Sequence, residues 1–83
     1  MPRYMDVHKK VPGVTKKAVA EAHAKDLKVQ KKYGVSYVQY WVDVKSEKVF
    51  CLVDAPNKEA AAKVHKEAHG LLADEIFEVS EGS

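Results

Sequence analysis

The chain has 83 residues, 46% of them hydrophobic, with 14 basic and 12 acidic residues and a formal net charge of +2. This length predicts one domain over residues 1–83, and the balanced charge argues against nucleic acid or an anionic membrane surface as a partner. No apolar run is long enough to span a membrane, and the single cysteine, Cys51, cannot form an internal disulfide, so the cytoplasm is the expected location.

The first half of the chain predicts a strand, a helix and a second strand. Residues 3–8 alternate in polarity as a strand does. Thr15 is a suitable N-cap for a helix over residues 16–32, and Gly34 follows as a stop signal. Residues 35–43 are rich in Val, Tyr and Trp, which favour strands.

The second half repeats the pattern in a different order. A short polar connection leads into an apolar strand over residues 48–54. Asn57 is the expected N-cap of a second helix that Gly70 ends, and residues 74–79 form a last strand. The order β-α-β-β-α-β predicts a ferredoxin-like α+β sandwich. Its four-stranded antiparallel sheet would have the order 4-1-3-2, with both helices on one face.

The strands also predict an aromatic sheet face that the two helices do not cover. Tyr4, Tyr37 and Trp41 alternate away from a second set of strand residues. That second set is Met5, Val7, Val38, Tyr40 and Val42. An uncovered face with aromatic side chains is typical of an interaction surface, and a second copy is the simplest cover. We therefore expect a homodimer through the face that carries Tyr4, Tyr37 and Trp41.

The first helix carries two polar residues on its inward stripe. His23 and Asp26 lie three residues apart among apolar positions, so their side chains are neighbours. A carboxylate on such a stripe is costly unless it is paired or binds a cation. The two residues are candidate metal ligands, and the alternative is a hydrogen-bonded pair that only fixes the helix to the sheet.

The second helix carries a histidine pair. His65 and His69 are four residues apart, so both imidazoles can reach one point beside the helix. Imidazole is a common ligand of first-row transition metals, which makes the pair a candidate site. The alternative is that His69, next to Gly70, is favoured at the helix C-terminus by the helix dipole.

The strands contribute three further candidate ligands. Asp6 and His8 are two residues apart and share one face of the first strand, where they either bind a metal or simply face solvent. Cys51 lies in the middle of an apolar strand, as a buried small residue or a thiolate ligand. Its strand pairs with the first strand, so its sulfur could lie near Asp6 and His8 or beneath the helices near His65.

These positions leave two separate candidate metal sites open. The first lies in the helix layer and comprises His23, Asp26, His65 and His69. The second comprises Asp6 and His8, which we expect to point away from the helices, on the open sheet face or at the dimer interface.

The whole pattern also resembles a known family. The stretch from Cys51 to Pro56 and the region of His65 are typical of the broad family, and Asp6-Val7-His8, His23 and His69 are typical of one branch. The family comprises small bacterial ferredoxin-like proteins, long described as a domain of unknown function, and the branch is nickel-binding and nickel-responsive in actinomycetes. The resemblance covers nearly the whole chain. It implies a dimer that binds and sequesters nickel near its surface, without catalysis. The same donor types would also accept Zn²⁺, Co²⁺ or Cu²⁺.

Two other functions stay open beside metal binding. A small dimeric enzyme of oxygenase or isomerase type could use His23 as a base that Asp26 orients, and a shaped apolar pocket beside His23 would favour it. The chain has no glycine-rich cofactor loop, and we expect that it is not an enzyme. The last alternative is a structural dimer module that binds no ligand.

Overall fold

The computed structural model describes residues 1–82, and Ser83, the last residue of the predicted domain, lies outside the described residues. The strands and helices follow the predicted order, and they are β1 (Arg3–His8), α1 (Lys16–Val29), β2 (Ser36–Asp43), β3 (Lys48–Asp54), α2 (Lys58–Ala68) and β4 (Glu75–Glu78). The sheet is antiparallel with the order β2-β3-β1-β4. The predicted ferredoxin-like α+β fold is therefore confirmed.

Both helices begin where their capping residues predict. The Thr15 side chain accepts a hydrogen bond from the Ala18 N–H at 3.0 Å, and the Asn57 side chain accepts one from the Ala60 N–H at 2.8 Å. Each bond satisfies a backbone donor that the first turn of a helix leaves free. None of the helices in residues 1–82 is both long and apolar enough to cross a membrane.

The first helix ends earlier than predicted. It stops at Val29, and the chain continues as a 3-10 turn over Gln30–Tyr33. Gly34 then adopts a left-handed conformation with φ of +67°, and its N–H bonds to the carbonyls of that turn. The predicted stop at Gly34 is correct, because glycine adopts this conformation without a steric penalty.

The core lies between the helices and the inner face of the sheet. Its apolar residues come from every layer, and they are Tyr4, Val14, Val19, Val35, Tyr37, Val49, Cys51, Val53, Ala55, Ala61 and Val64. The same layer buries four polar side chains, which are Asp6, His8, Asp26 and His65. Buried charged groups at this density need partners, and those partners form the site described below.

The predicted aromatic face is wrong for two of its three residues. Tyr4 and Tyr37 belong to the core, where they are 6% and 3% exposed. A β-bulge between Tyr37 and Gln39 changes the phase of β2. Tyr37 therefore points inward before the bulge, whereas Trp41 points outward after it and is 44% exposed.

The outer face of the sheet is nevertheless apolar. Its residues alternate with the buried ones, and they are Met5, Val7, Trp41, Phe50, Leu52 and Phe77. We call this set the outer face. The C-terminal residues 79–81 reach only its edge, beside Arg3, Met5 and Leu52. Phe77 stays 48% exposed, so the single chain leaves much of the outer face uncovered.

Candidate metal centre

His65 lies between two carboxylates at the centre of the molecule. Its Nδ1 is 2.9 Å from Asp26 Oδ1, and its Nε2 is 2.9 Å from Asp6 Oδ2. The three residues come from α2, α1 and β1, so the cluster joins both helices to the sheet. His65 is only 1% exposed, and both of its ring nitrogens are satisfied by these contacts.

The prediction that Asp6 and His8 point away from the helices is wrong. Both are buried on the inner face of the sheet, together with Tyr4. Alternation fixes which residues of a strand share a face, but it does not say which face the helices cover. The two predicted sites therefore merge, because Asp6 of the sheet contacts His65 of the helix layer.

His69 approaches the same carboxylate as His65. Its Nε2 lies 3.1 Å from Asp26 Oδ1, and its Nδ1 accepts the Leu71 N–H at 3.1 Å. Because Nδ1 accepts, the ring proton is assigned to Nε2, which donates to Asp26. The ring centroids of His65 and His69 are 4.9 Å apart. Both members of the predicted helix pair thus reach one point, as their spacing predicts.

His23 is left out of these contacts. Its ring lies 4.9 Å from the ring of Tyr40, and Asp26, its expected neighbour on α1, contacts His65 and His69 instead. Within residues 1–82, His23 belongs to neither of the two groups of side chains whose donor atoms lie close enough to share a metal ion.

Four buried side chains form the first of those groups. The donor atoms of Asp6, His8, Cys51 and His65 all lie within 4.8 Å of one another. We call these residues the quartet. Cys51 stands opposite Asp6 in the register of β1 and β3, and its side chain points inward, which answers the question that the sequence left open. The second group, which we call the trio, comprises Asp26, His65 and His69.

One oxygen of the quartet lacks a partner. Asp6 Oδ1 is fully buried, and no hydrogen bond reaches it from the described residues. His8 Nε2 lies 3.5 Å from this oxygen, which is long for a hydrogen bond. Native structures rarely bury a carboxylate oxygen in this way, so the position is suited to a cation.

Tyr37 is a member of the site that sequence reasoning missed. Its hydroxyl lies 3.1 Å from Asp6 Oδ2 and 3.1 Å from the Ala61 carbonyl oxygen. It contacts the carboxylate oxygen that His65 also contacts and leaves Oδ1 free. The alternation of β2 assigned Tyr37 to the uncovered face, and only the bulge brings it inside.

The electrostatics favour an imidazolium held between two carboxylates. Burial alone would raise the pKa of Asp6, but the hydrogen bond from His65 and the nearby His8 ring outweigh it and lower the pKa below its usual range. The pKa of Asp26 is also lowered, because bonds from His65 and His69 outweigh burial. For His65, burial opposes the charge, yet the bonds to Asp26 and Asp6 raise the pKa to about 11.

The Cys51 thiol, in contrast to the His65 ring, is held uncharged. Burial raises the pKa of its thiol to about 11, so the thiol stays protonated at neutral pH. A thiolate at this position needs a cation beside it, since a metal ion is the usual means of deprotonating a buried cysteine.

A cavity of about 160 Å³ opens over the cluster. Its polar lining consists of His8, His23, Asp26, Cys51, His65 and His69. The end of β1 and the end of α2 therefore meet at this cavity. The cavity gives the quartet and the trio a route to solvent.

Comparisons with known proteins place this chain in a family. The profile of a family described as "Nickel responsive protein SCO4226-like" matches residues 4–79. The chain is also similar to a solved structure, the crystal structure of SCO4226 from Streptomyces coelicolor A3(2). The two are 40% identical with a TM-score of 0.90, over 98% of this chain and 99% of that chain. No curated protein matches this chain. Because the family profile spans nearly the whole chain, the protein belongs to the nickel-responsive SCO4226-like family.

Proposed function

We propose that this protein binds divalent nickel in the quartet and sequesters it as a cytoplasmic homodimer, without catalysing a reaction. The observation that carries the proposal is the buried quartet with its unpartnered Asp6 Oδ1. The nickel responsiveness of the family favours nickel among the metals that such donors accept. A free, buried Cys51 supports a reducing compartment.

The donor set fits a first-row transition metal. Two imidazoles, one thiolate and one carboxylate combine borderline and soft ligands, which such metals prefer over Mg²⁺ or Ca²⁺. His65 would ligate through Nε2 while its Nδ1–H stays on Asp26. A metal-binding histidine usually keeps its second nitrogen on a carboxylate in this way, which fixes the ring.

Nickel would take the place of protons. The His65 Nε2 proton and the Cys51 thiol proton both have to leave before these atoms can bind a metal. The pKa of each group is raised to about 11, so each proton is firmly held in the metal-free protein. Nickel affinity should therefore keep rising with pH above neutrality.

We propose one site per subunit rather than two. The quartet and the trio share His65, so they compete for one imidazole. The quartet has four donors, including the free carboxylate oxygen, whereas Oδ1 of Asp26 and Nε2 of His69 already contact each other. Asp26 and His69 would then act as supporting groups that orient His65.

Calorimetry on untagged, chelator-treated protein tests the proposal. We expect about one nickel ion per subunit, with more than one proton released per ion when buffers of different ionisation enthalpy are compared. The variants His8→Ala and Cys51→Ala should lose more than about 100-fold in affinity, beyond the usual loss for an outer-shell partner.

His23→Ala is the matched control, because His23 lines the same cavity but lies outside the quartet and the trio. It should bind nickel like the parent. If His8→Ala also binds like the parent, the quartet is not the site. Titrations with Zn²⁺, Co²⁺ and Cu²⁺ on the same protein determine whether nickel is preferred.

The outer face supports the homodimer in this proposal. It is a continuous apolar surface on the side of the sheet away from the helices, and Trp41 and Phe77 stand out from it. If a second copy packs face to face, each subunit buries its own outer face against that of the other, as in a two-fold symmetric interface.

A small-molecule enzyme is the second candidate, because an apolar cavity does lie beside His23. The expected base and its orienter are not assembled, since Asp26 contacts His65 and His69 rather than His23. A ligand-free structural module would not need a buried carboxylate oxygen without a partner. Metal binding therefore remains the function that the geometry supports best.

A further inference from the structure

Most of the cavity wall has no role in metal binding. Apolar surface lines this part of the cavity, and it comes from the loop at residues 11–14, Ala18 and Ala22 of α1, Tyr40 of β2, and Leu71. A metal ion gains nothing from such walls, whereas sites for organic ligands are typically apolar with a few polar groups that fix orientation. The two alanines lie four residues apart on one face of α1, and their small size leaves the space open.

Asp26 presents a free acceptor to this cavity. Both imidazole contacts fall on its Oδ1, and no donor among residues 1–82 bonds to its Oδ2. Asp26 lines the cavity, and Oδ2 is the side-chain oxygen that the two imidazoles leave free. An ionised carboxylate in an apolar setting is stabilised by a donor, and most strongly by a charged one.

The free oxygen of Asp26 favours a ligand that donates hydrogen bonds. Both imidazole contacts fall on Oδ1, and they leave Oδ2 as an acceptor. An ammonium offers three donors to such an oxygen, whereas a ligand carboxylate or phosphate offers only acceptors and would bring a second negative charge beside Asp26.

We propose that this cavity binds a small organic cation, with a primary ammonium on Asp26 and a compact hydrocarbon body between the loop at residues 11–14 and α1. The volume sets the size of the body, because an apolar cavity of about 150 Å³ accepts a benzene ring. The inference goes beyond nickel binding and does not depend on it, since Oδ2 of Asp26 is outside the quartet.

The test uses four probes of nearly equal size and different charge. Benzylamine, benzyl alcohol, toluene and benzoate are titrated into ¹⁵N-labelled, chelator-treated protein at neutral pH. We expect saturable shifts with benzylamine at the amides of Gly13, Val14, Ala22 and Leu71. Benzyl alcohol should bind about tenfold more weakly, which corresponds to the loss of about one charged contact. Toluene should be weaker again, and benzoate should give no saturable shift.

Two variants assign the binding to the cavity and to the carboxylate. Ala22→Leu fills the cavity and should abolish the benzylamine shifts, whereas Ala24→Leu, at an exposed position of the same helix, should leave them unchanged. Asp26→Asn should remove the preference for amine over alcohol. If Asp26→Asn does not fold, the four probes and the variants Ala22→Leu and Ala24→Leu still test the proposal. The proposal is overturned if no probe binds, if benzoate or benzyl alcohol binds as tightly as benzylamine, or if Ala22→Leu binds like the parent.

Discussion

The two faces of the sheet differ in where their polar and apolar side chains lie, and polar groups are buried within the apolar core. The inner face, which the helices cover, holds Asp6, His8 and Cys51 next to His65. The outer face, which residues 1–82 leave largely uncovered, carries apolar and aromatic side chains such as Trp41. A typical two-layer domain buries its apolar face and exposes its polar face.

This difference indicates that the two faces have separate roles. Buried polar groups are retained only when partners or ligands satisfy them, so the inner face serves binding. Exposed apolar surface of this extent is typical of association, so the outer face serves the proposed dimer. The following substitutions test that division, in order of decreasing expected effect.

His65→Ala is the strongest test of the inner face. Asp6 and Asp26 would stay buried without the donor that they share, and breaking a buried charge pair costs about 3–5 kcal/mol of unfolding free energy. Urea unfolding of the metal-free protein measures the loss. Val64→Ala, at the neighbouring buried position, is the control for simple loss of packing. A loss for His65→Ala no larger than for Val64→Ala would mean that the cluster contributes no more than a packed core residue.

Trp41→Glu is the matching test of the outer face. Sedimentation velocity at micromolar concentration should show a dimer for the parent protein. The variant should weaken the dimer by about 30-fold, which corresponds to the about 2 kcal/mol of a typical hot-spot residue. Leu27→Glu, at an equally exposed position of α1, should have no effect on assembly. A monomeric parent protein would refute the dimer, whichever variant is compared.

The stability of the metal-free protein should fall as the pH rises above neutrality. The pKa of His65 is about 6.5 in the unfolded chain and about 11 in the folded protein. Its contribution is therefore complete below pH 6.5 and declines above it, by up to about 1.4 kcal/mol per pH unit. Stability should also fall in acid, because the pKa values of Asp6 and Asp26 are lowered by folding.

Urea unfolding at about pH 6 and about pH 9 checks this dependence. His23→Ala should keep the slope of the parent. His65→Gln should lose it, because the amide side chain does not titrate. A parent protein that is equally stable at both values would show that His65 is not held as a cation.

His69→Ala should have the smallest effect in this series. It removes the contact with Asp26 and the acceptor for the Leu71 N–H, and it should cost about 1 kcal/mol, as a typical hydrogen bond does. Nickel affinity should fall by about 10- to 100-fold, which is the usual effect of losing an outer-shell partner. A loss as large as that of His8→Ala would move the metal from the quartet to the trio.

The sequence by itself determined the order of the elements and the supply of metal-binding side chains. Thr15 and Asn57 mark helix starts because a cap acts within three residues, and Gly34 marks a stop because of its own backbone freedom. The sheet order follows from connection rules that hold across folds. The pairing of His65 with His69 is equally local, since helical spacing brings both rings to Asp26.

Only the tertiary structure decided which residues meet. His65 bonds to Asp26 and Asp6, which lie 39 and 59 positions away from it in the chain, and no local period encodes such pairs. The inner position of Asp6 and His8 depends on which side of β1 the helices pack against, and that of Tyr37 on a bulge in β2. Alternation is symmetric between the two faces of a strand, so local sequence decides neither choice. In the folded chain the inner position of Asp6 lets it pair with His65, and a carboxylate without such a partner would be costly to bury.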